Sequence, residues 1–112
     1  MRNAGLDVAG NLDDLLEASD LVVDCTPKRI AAVNVDIYRQ RGIKFIVQGG
    51  EKHEVTGHSF VAESTYASAL NRDSTRVVSC NTTSIVRTIT ALKQAGLLRR
   101  ARGTLLRRAT DP

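Results

Sequence analysis

The stretch from Asp20 to Gly50, DLVVDCTPKRIAAVNVDIYRQRGIKFIVQGG, decides the fold. Asp20-Leu21-Val22-Val23-Asp24-Cys25 is a short apolar run bounded by Ser19 and by Thr26-Pro27, the pattern of a strand buried on both faces, and Pro27 ends it. From Lys28 to Arg41 the apolar residues Ile30, Val33, Ile37 and Tyr38 recur every three to four positions, which predicts a helix with Gly42 as its stop. Ile43 to Val47 reads as a second buried strand, broken by Gln48-Gly49-Gly50. Strand, helix and strand with short joints make a βαβ unit, and the fold class is α/β.

Working outward, Leu12 to Ala18 predicts a short amphipathic helix, with Leu12, Leu15 and Leu16 on one face and Asn11 placed to cap it. Downstream, Glu51 to Gly57 is polar and irregular, Ser59 to Ala62 has the character of a short strand, and Tyr66 to Leu70 reads as one or two helical turns. Arg76-Val77-Val78-Ser79 predicts another strand. Cys80-Asn81-Thr82-Thr83 then opens a helix whose apolar face is Ile85, Ile89 and Leu92 and which ends near Gly96. Leu97 to Ala109 predicts a long strand bent or bulged at Gly103.

The chain has 112 residues, 42% hydrophobic and 25% charged, which leaves room for one domain at most and excludes a complete two-lobed enzyme. No apolar stretch approaches the roughly 18 residues of a membrane span, and residues 1–10 lack the apolar core of a signal peptide, so an intracellular, cytoplasmic protein without a membrane partner is expected. The net charge of +4 is unevenly placed: residues 81–112 carry seven basic side chains and one acidic. Five of the basic residues are arginines between Arg99 and Arg108, either a surface for an anionic partner or a solvated face or subunit contact. A nucleic-acid partner is not expected, because none of the four aromatics interleaves with these arginines.

Loops at the carboxyl ends of strands form the ligand crevice of an open α/β sheet, and two are visible: Cys25-Thr26-Pro27 and Gln48-Gly49-Gly50. The glycines would let backbone approach a flat or phosphorylated ligand, although a Gly-Gly pair also serves a simple turn. In Ser79-Cys80-Asn81-Thr82-Thr83 a thiol sits at a helix N-terminus, where the dipole and unpaired N–H groups favour thiolate and can stabilise an oxyanion. Thr82 and Thr83 add hydroxyls suited to phosphate. The alternative is that Cys80 is a small buried hydrophobe beside an N-cap at Ser79 or Asn81. Cys25, at the end of an apolar run, reads as a buried structural residue. His53 and His58, in an irregular segment with no cysteine near them, argue against a metal site.

Taken together, Asp24-Cys25-Thr26-Pro27, Gln48-Gly49-Gly50-Glu51-Lys52-His53-Glu54, Arg76-Val77-Val78-Ser79-Cys80-Asn81-Thr82-Thr83 and Arg107-Arg108-Ala109-Thr110-Asp111-Pro112 resemble, in order and spacing, archaeal-type (type II) glyceraldehyde-3-phosphate dehydrogenase. The resemblance runs from about Gly5 to Pro112. It implies the second part of a Rossmann-type dinucleotide-binding domain (residues 1–79) followed by the start of an α+β catalytic domain (residues 80–112), in a subunit of a homotetramer. It also implies NADP or NAD as cofactor, with glyceraldehyde 3-phosphate and inorganic phosphate as substrates. By the same resemblance Cys80 is the nucleophile, Ser79 and Asn81 contact the substrate, and Thr82 and Thr83 lie near substrate or attacking phosphate. Gly50 and Arg108 touch the dinucleotide, with Thr26 and Pro27 lining the same crevice.

The departures are the family's Gly-rich first turn and its catalytic histidine, neither of which this sequence contains, and Ser84 where glycine is usual. They predict an internal fragment without turnover by itself. The alternative expectation is a non-catalytic remnant acting as a subunit-interaction or binding module.

Overall fold

A computed structural model describes residues 4–106. In chain order the elements are α1 (Leu12–Glu17), β1 (Leu21–Asp24), α2 (Ala31–Gln40), β2 (Lys44–Val47), a single 3-10 turn (His53–Val55), β3 (Ser59–Phe60), α3 (Ala62–Ala69), β4 (Ser74–Val77) and α4 (Cys80–Gln94). All strand pairs are parallel, in the order β1-β2-β4-β3, so the chain is α/β as its βαβ unit predicts.

Asn11 caps α1 as expected: its side chain accepts from the Asp13 and Asp14 N–H groups while Asp14 reaches back to the Asn11 N–H, a reciprocal capping box. Helices α2 and α4 both close with paired hydrogen bonds of the Schellman type, Gly42 N–H to Arg39 and Ile43 N–H to Tyr38 in the first, Gly96 N–H to Lys93 and Leu97 N–H to Leu92 in the second.

The register places Val22, Asp24, Phe45 and Val47 on one face of the sheet and Leu21, Val23, Lys44 and Ile46 on the other. The first face is covered by α2, and the core consists of Leu16, Ala31, Val35, Tyr38, Phe45 and Val47. Ala31, Val35 and Tyr38 recur at helical spacing, and Tyr38 packs on Phe45 with ring centroids 5.5 Å apart. On the other face Leu21 and Val23 remain half exposed. This corrects the expectation of strands buried on both sides, since an apolar run announces burial without saying whether a second layer covers it.

Two further inward faces differ from the sequence reading. Only Leu16 of the α1 leucines is buried, and in α2 the buried stripe runs through Ala31 and Val35, with Ile30 in the preceding turn and Val33 exposed. The small Ala31 permits close approach of helix to sheet.

The β1-to-β2 and β3-to-β4 connections run in opposite directions across the sheet, so right-handed crossovers place their helices on opposite faces. Accordingly α3 stands beside the half-exposed face, where His58 joins Thr75 of β4 (2.7 Å) to Ser68 of α3 (3.0 Å). Helix α3 begins four residues before the turns expected at Tyr66 and is tied to α4 by the exposed Glu63–Arg87 ion pair.

The strand expected over Leu97 to Ala109 is not formed in its described part: residues 97–106 have no regular structure, and Leu97 and Leu106 are exposed. A strand needs a ladder partner, and none of the described strands pairs with this segment. Arg107, Arg108 and Ala109 through Pro112 lie outside the described residues. No described helix is long and apolar enough to cross a membrane.

Candidate active site

β1, β2 and β4 lie side by side, so the loops that leave their carboxyl ends converge on one cleft of about 720 Å³. Cys25 to Lys28 form one wall, Gln48-Gly49-Gly50 a second, and Arg76 to Cys80 with Thr82 the third.

The first wall is fixed from below by Asp24. Its buried carboxylate accepts from the Thr26 N–H (2.9 Å), Thr26 Oγ1 (2.5 Å), Asn34 Nδ2 (3.0 Å) and the Tyr38 hydroxyl (2.9 Å). Burial acts to raise the Asp24 pKa, but the hydrogen bonds from Thr26, Asn34 and Tyr38 outweigh it and hold the carboxyl below its ordinary 3.8. Burial, the hydrogen bond to Asp24 and that residue's charge push the Tyr38 hydroxyl up to about 12, so it remains a donor.

The second wall packs directly on the first. A Cβ at Gly49 would overlap the Thr26 carbonyl oxygen, so only glycine permits this approach. Gly50 has φ 86°, and among the described residues no atom outside Gly50 and its two chain neighbours lies within 4 Å of where its Cβ would stand. Backbone is therefore open to the cleft there.

The third wall carries the thiol. Ser79 is the N-cap of α4: its hydroxyl accepts from the Thr82 N–H at 3.2 Å and lies 3.0 Å from Thr82 Oγ1. Cys80 is the first residue of this 15-residue helix, where N–H groups lack intrahelical acceptors and the dipole favours an anion. Its side chain is exposed.

Of the residues singled out from the sequence, Thr26, Pro27, Gly50, Ser79, Cys80 and Thr82 meet in this cleft. Asn81 and Thr83 lie in the first turn of α4 without lining it, the Thr83 N–H returning to the Ser79 carbonyl at 2.8 Å. Arg108 lies outside the described residues.

Cys25 departs from the sequence reading. It is exposed, lines the cleft, and receives a hydrogen bond from Gln48 Nε2 at 2.8 Å. As the residue after Asp24, it falls one position beyond the strand whose burial it was expected to share.

Sequence reasoning also passed over Arg76, which lines the cleft while its guanidinium reaches the Glu51 carbonyl (2.5 Å) and Ser59 Oγ (2.7 Å). The signal available was a cation four residues before Cys80; the sequence reading put it at the start of a strand running to Ser79, whereas β4 covers Ser74–Val77 and holds Arg76 near its carboxyl end. His53 and His58 are bonded to hydroxyls of Ser59, Thr75 and Ser68, and among the described residues no cluster of three metal-ligating side chains occurs.

A parallel sheet with a thiol-bearing cleft at its strand ends defines an α/β protein of Rossmann-like type. No family model matches the chain. It is 49% identical over its full length to the glyceraldehyde-3-phosphate dehydrogenase of Methanococcoides burtonii. It is 48% identical over 97% of its length to that of Methanothermus fervidus. It is 50% identical over 97% of its length to glyceraldehyde-3-phosphate dehydrogenase 2 of Methanosarcina barkeri. The chain spans about a third of the length of these curated relatives and is similar to them over 97–100% of its own length.

Proposed function

We propose that the chain supplies part of the cofactor- and substrate-facing surface of an NAD(P)-dependent, phosphorylating glyceraldehyde-3-phosphate dehydrogenase. Such an enzyme oxidises glyceraldehyde 3-phosphate with inorganic phosphate to 1,3-bisphosphoglycerate. The boundary between dinucleotide-binding and catalytic parts falls between residues 79 and 80. The observation that carries the reading is Cys80 at the capped start of α4, in one cleft with the Thr26-Pro27 and Gly49-Gly50 loops.

The residues present fit a flat ring. Gly50 offers open backbone, the Thr26-Pro27 loop is held rigidly by Asp24, and the cleft volume lies within the usual range for small-molecule sites. The nicotinamide, when bound, supplies the hydride acceptor.

The chain's own residues do the covalent work. Cys80 thiolate adds to the aldehyde carbon, and the carbonyl oxygen becomes an oxyanion that helix N–H groups can stabilise. After loss of hydride the product is a Cys80 thioester, which inorganic phosphate cleaves to release acyl phosphate and regenerate thiolate. Ser79 and Asn81 flank the nucleophile and are assigned contacts with the substrate, and Thr82 and Thr83 are assigned hydroxyl contacts with substrate or phosphate oxygens; of these, Ser79 and Thr82 line the cleft. Arg108 contributes to dinucleotide binding. Neither histidine is assigned as base, because neither lines the cleft that holds Cys80.

The half-reaction that forms the thioester from the product side needs no cofactor and tests the assignment directly. Incubation with an acyl phosphate is expected to acylate Cys80 and release inorganic phosphate, with Cys25 unmodified by peptide mass mapping. Equal acylation of both thiols, or of neither, would overturn it.

A further inference from the structure

The three cleft walls come from segments far apart in sequence, and the geometry points to one device that sets their spacing. We propose that Arg76 and Glu51 are positioning residues: a clamp that holds the Cys80 turn against the other two walls. The proposal rests on the reading of Cys80 as nucleophile.

Arg76 stands at the end of β4, three residues before Ser79. Its Nη1 donates to the Glu51 main-chain carbonyl at 2.5 Å and its Nε donates to Ser59 Oγ at 2.7 Å. One planar side chain thus fixes β4 to the segment after Gly50 and to β3. The fork geometry makes both bonds at once, which a lysine cannot reproduce.

The clamp continues through Glu51 itself. This residue is only 5% exposed, and its Oε1 accepts from the Arg29 N–H at 2.5 Å. Arg29 has φ 79°, a left-handed conformation that a side chain such as arginine rarely adopts and that needs an external hold. Glu51 provides it, fixing the turn between Pro27 and α2. The first wall is thereby tied to the second through the Glu51 carboxylate, and the second to the third through the Glu51 carbonyl. Displacement of a reacting group by about 1 Å is enough to cost a large factor in rate, which is why such a tie matters to the thiol.

The test is the rate constant with which Cys80 is alkylated by iodoacetamide at neutral pH, followed by peptide mass mapping with the rate constant of Cys25 measured separately alongside it. Arg76→Met is expected to slow Cys80 about threefold or more, and Arg76→Lys to slow it equally, because charge without the fork does not restore the tie. Glu51→Leu is expected to behave like Arg76→Met, whereas Glu51→Gln, which keeps an acceptor for the Arg29 N–H, restores the unsubstituted rate.

Arg41→Met, which removes an ion pair to Asp13 away from the cleft, controls for general loosening and is expected to change nothing. If Arg76→Met does not fold, Ser59→Ala removes the Nε arm together with the His53 contact to the same hydroxyl and is expected to slow Cys80 about twofold, whereas His53→Ala, which removes that contact alone, is expected to change nothing. An unchanged Arg76→Lys rate, an unaffected Ser59→Ala rate, or equal slowing by Arg41→Met would each overturn the clamp. If Cys80 in the unsubstituted chain reacts no faster than Cys25, the nucleophile assignment fails instead; a fast Cys80 that ignores Arg76→Met leaves that assignment standing and removes only the clamp.

Discussion

The Tyr38 hydroxyl donates to Asp24 Oδ2 at 2.9 Å, joining the last residue of β1 to the far end of α2 beneath the cleft. Among the described residues no cation pairs with Asp24, and donated hydrogen bonds keep its buried carboxylate ionised. Tyr38→Phe removes one of these donors while leaving the ring packed on Phe45. The expected loss is about 1.5–3 kcal/mol, the usual worth of a hydrogen bond to a charged group, read as a lower urea midpoint with unchanged slope. A shift in slope would instead mean that the core has loosened.

His58 gives the chain an acid sensitivity above the carboxylate range. Burial first, then the charges of Arg72 and His53, hold its pKa below the ordinary 6.5. The unfolded chain therefore takes up a proton that the folded chain refuses. Stability is full above about pH 6.5 and falls as pH drops below that value towards the folded pKa. Urea unfolding followed from about pH 8 down to pH 5 is expected to show this fall, and His58→Gln to flatten it.

The two faces of the sheet make opposite demands on substitution. Val23 is half exposed, so Val23→Thr is expected to change stability by no more than about 0.5 kcal/mol. Phe45 is buried in the core, and Phe45→Ala is expected to cost about 3–5 kcal/mol. Comparable losses from both would show that a second layer covers Val23 in solution.

That contrast also marks how far the sequence could be read. The βαβ unit was legible because Pro27 and Gly42 punctuate three runs of apolar residues, and each punctuation acts locally. Which side of β1 is covered was not, because alternation of side chains along a strand names two faces and leaves the choice to the neighbouring layer. The strand expected from Leu97 failed for a related reason: β-structure is settled by a partner strand, and local composition cannot supply one. In the site, the Gly49-Gly50 loop and the Ser79 cap were legible as local signals. The Arg76 tie to Glu51 spans 25 residues and exists only because β4 inserts beside β2, a fact of topology.

Ser79 connects helix stability to thiol chemistry. Its hydroxyl caps the Thr82 N–H, so Ser79→Ala is expected to cost about 1 kcal/mol and to fray the first turn of α4. Because Cys80 is the first residue of that turn, its alkylation is expected to slow as the dipole and the free N–H groups lose their alignment. Ser79→Asp, which keeps a capping acceptor, restores helix stability but places a negative charge beside the thiol. It is expected to recover the urea midpoint without recovering the alkylation rate, and joint recovery of both would show that capping alone governs reactivity.

Gly49 and Gly50 are adjacent, yet alanine at each strains the cleft differently. At Gly49 a Cβ would collide with the Thr26 carbonyl, and that carbonyl cannot withdraw because Asp24 holds the Thr26 N–H and hydroxyl. Gly49→Ala must therefore separate the two loops, at an expected cost of about 1–3 kcal/mol. At Gly50 the space is open and the only penalty is the left-handed backbone at φ 86°, about 1–2 kcal/mol with the loops still in contact. The two variants are thus expected to resemble each other in urea and to differ in the Gln48–Cys25 contact, since Gln48 precedes Gly49. Separation of the loops frees the Cys25 thiol from Gln48, so Cys25 alkylation is expected to change in Gly49→Ala and to remain at the unsubstituted rate in Gly50→Ala. The same Cys25 rate in both variants would mean that the Thr26 loop yields to the new Cβ, and that Asp24 holds it less firmly than its hydrogen bonds imply.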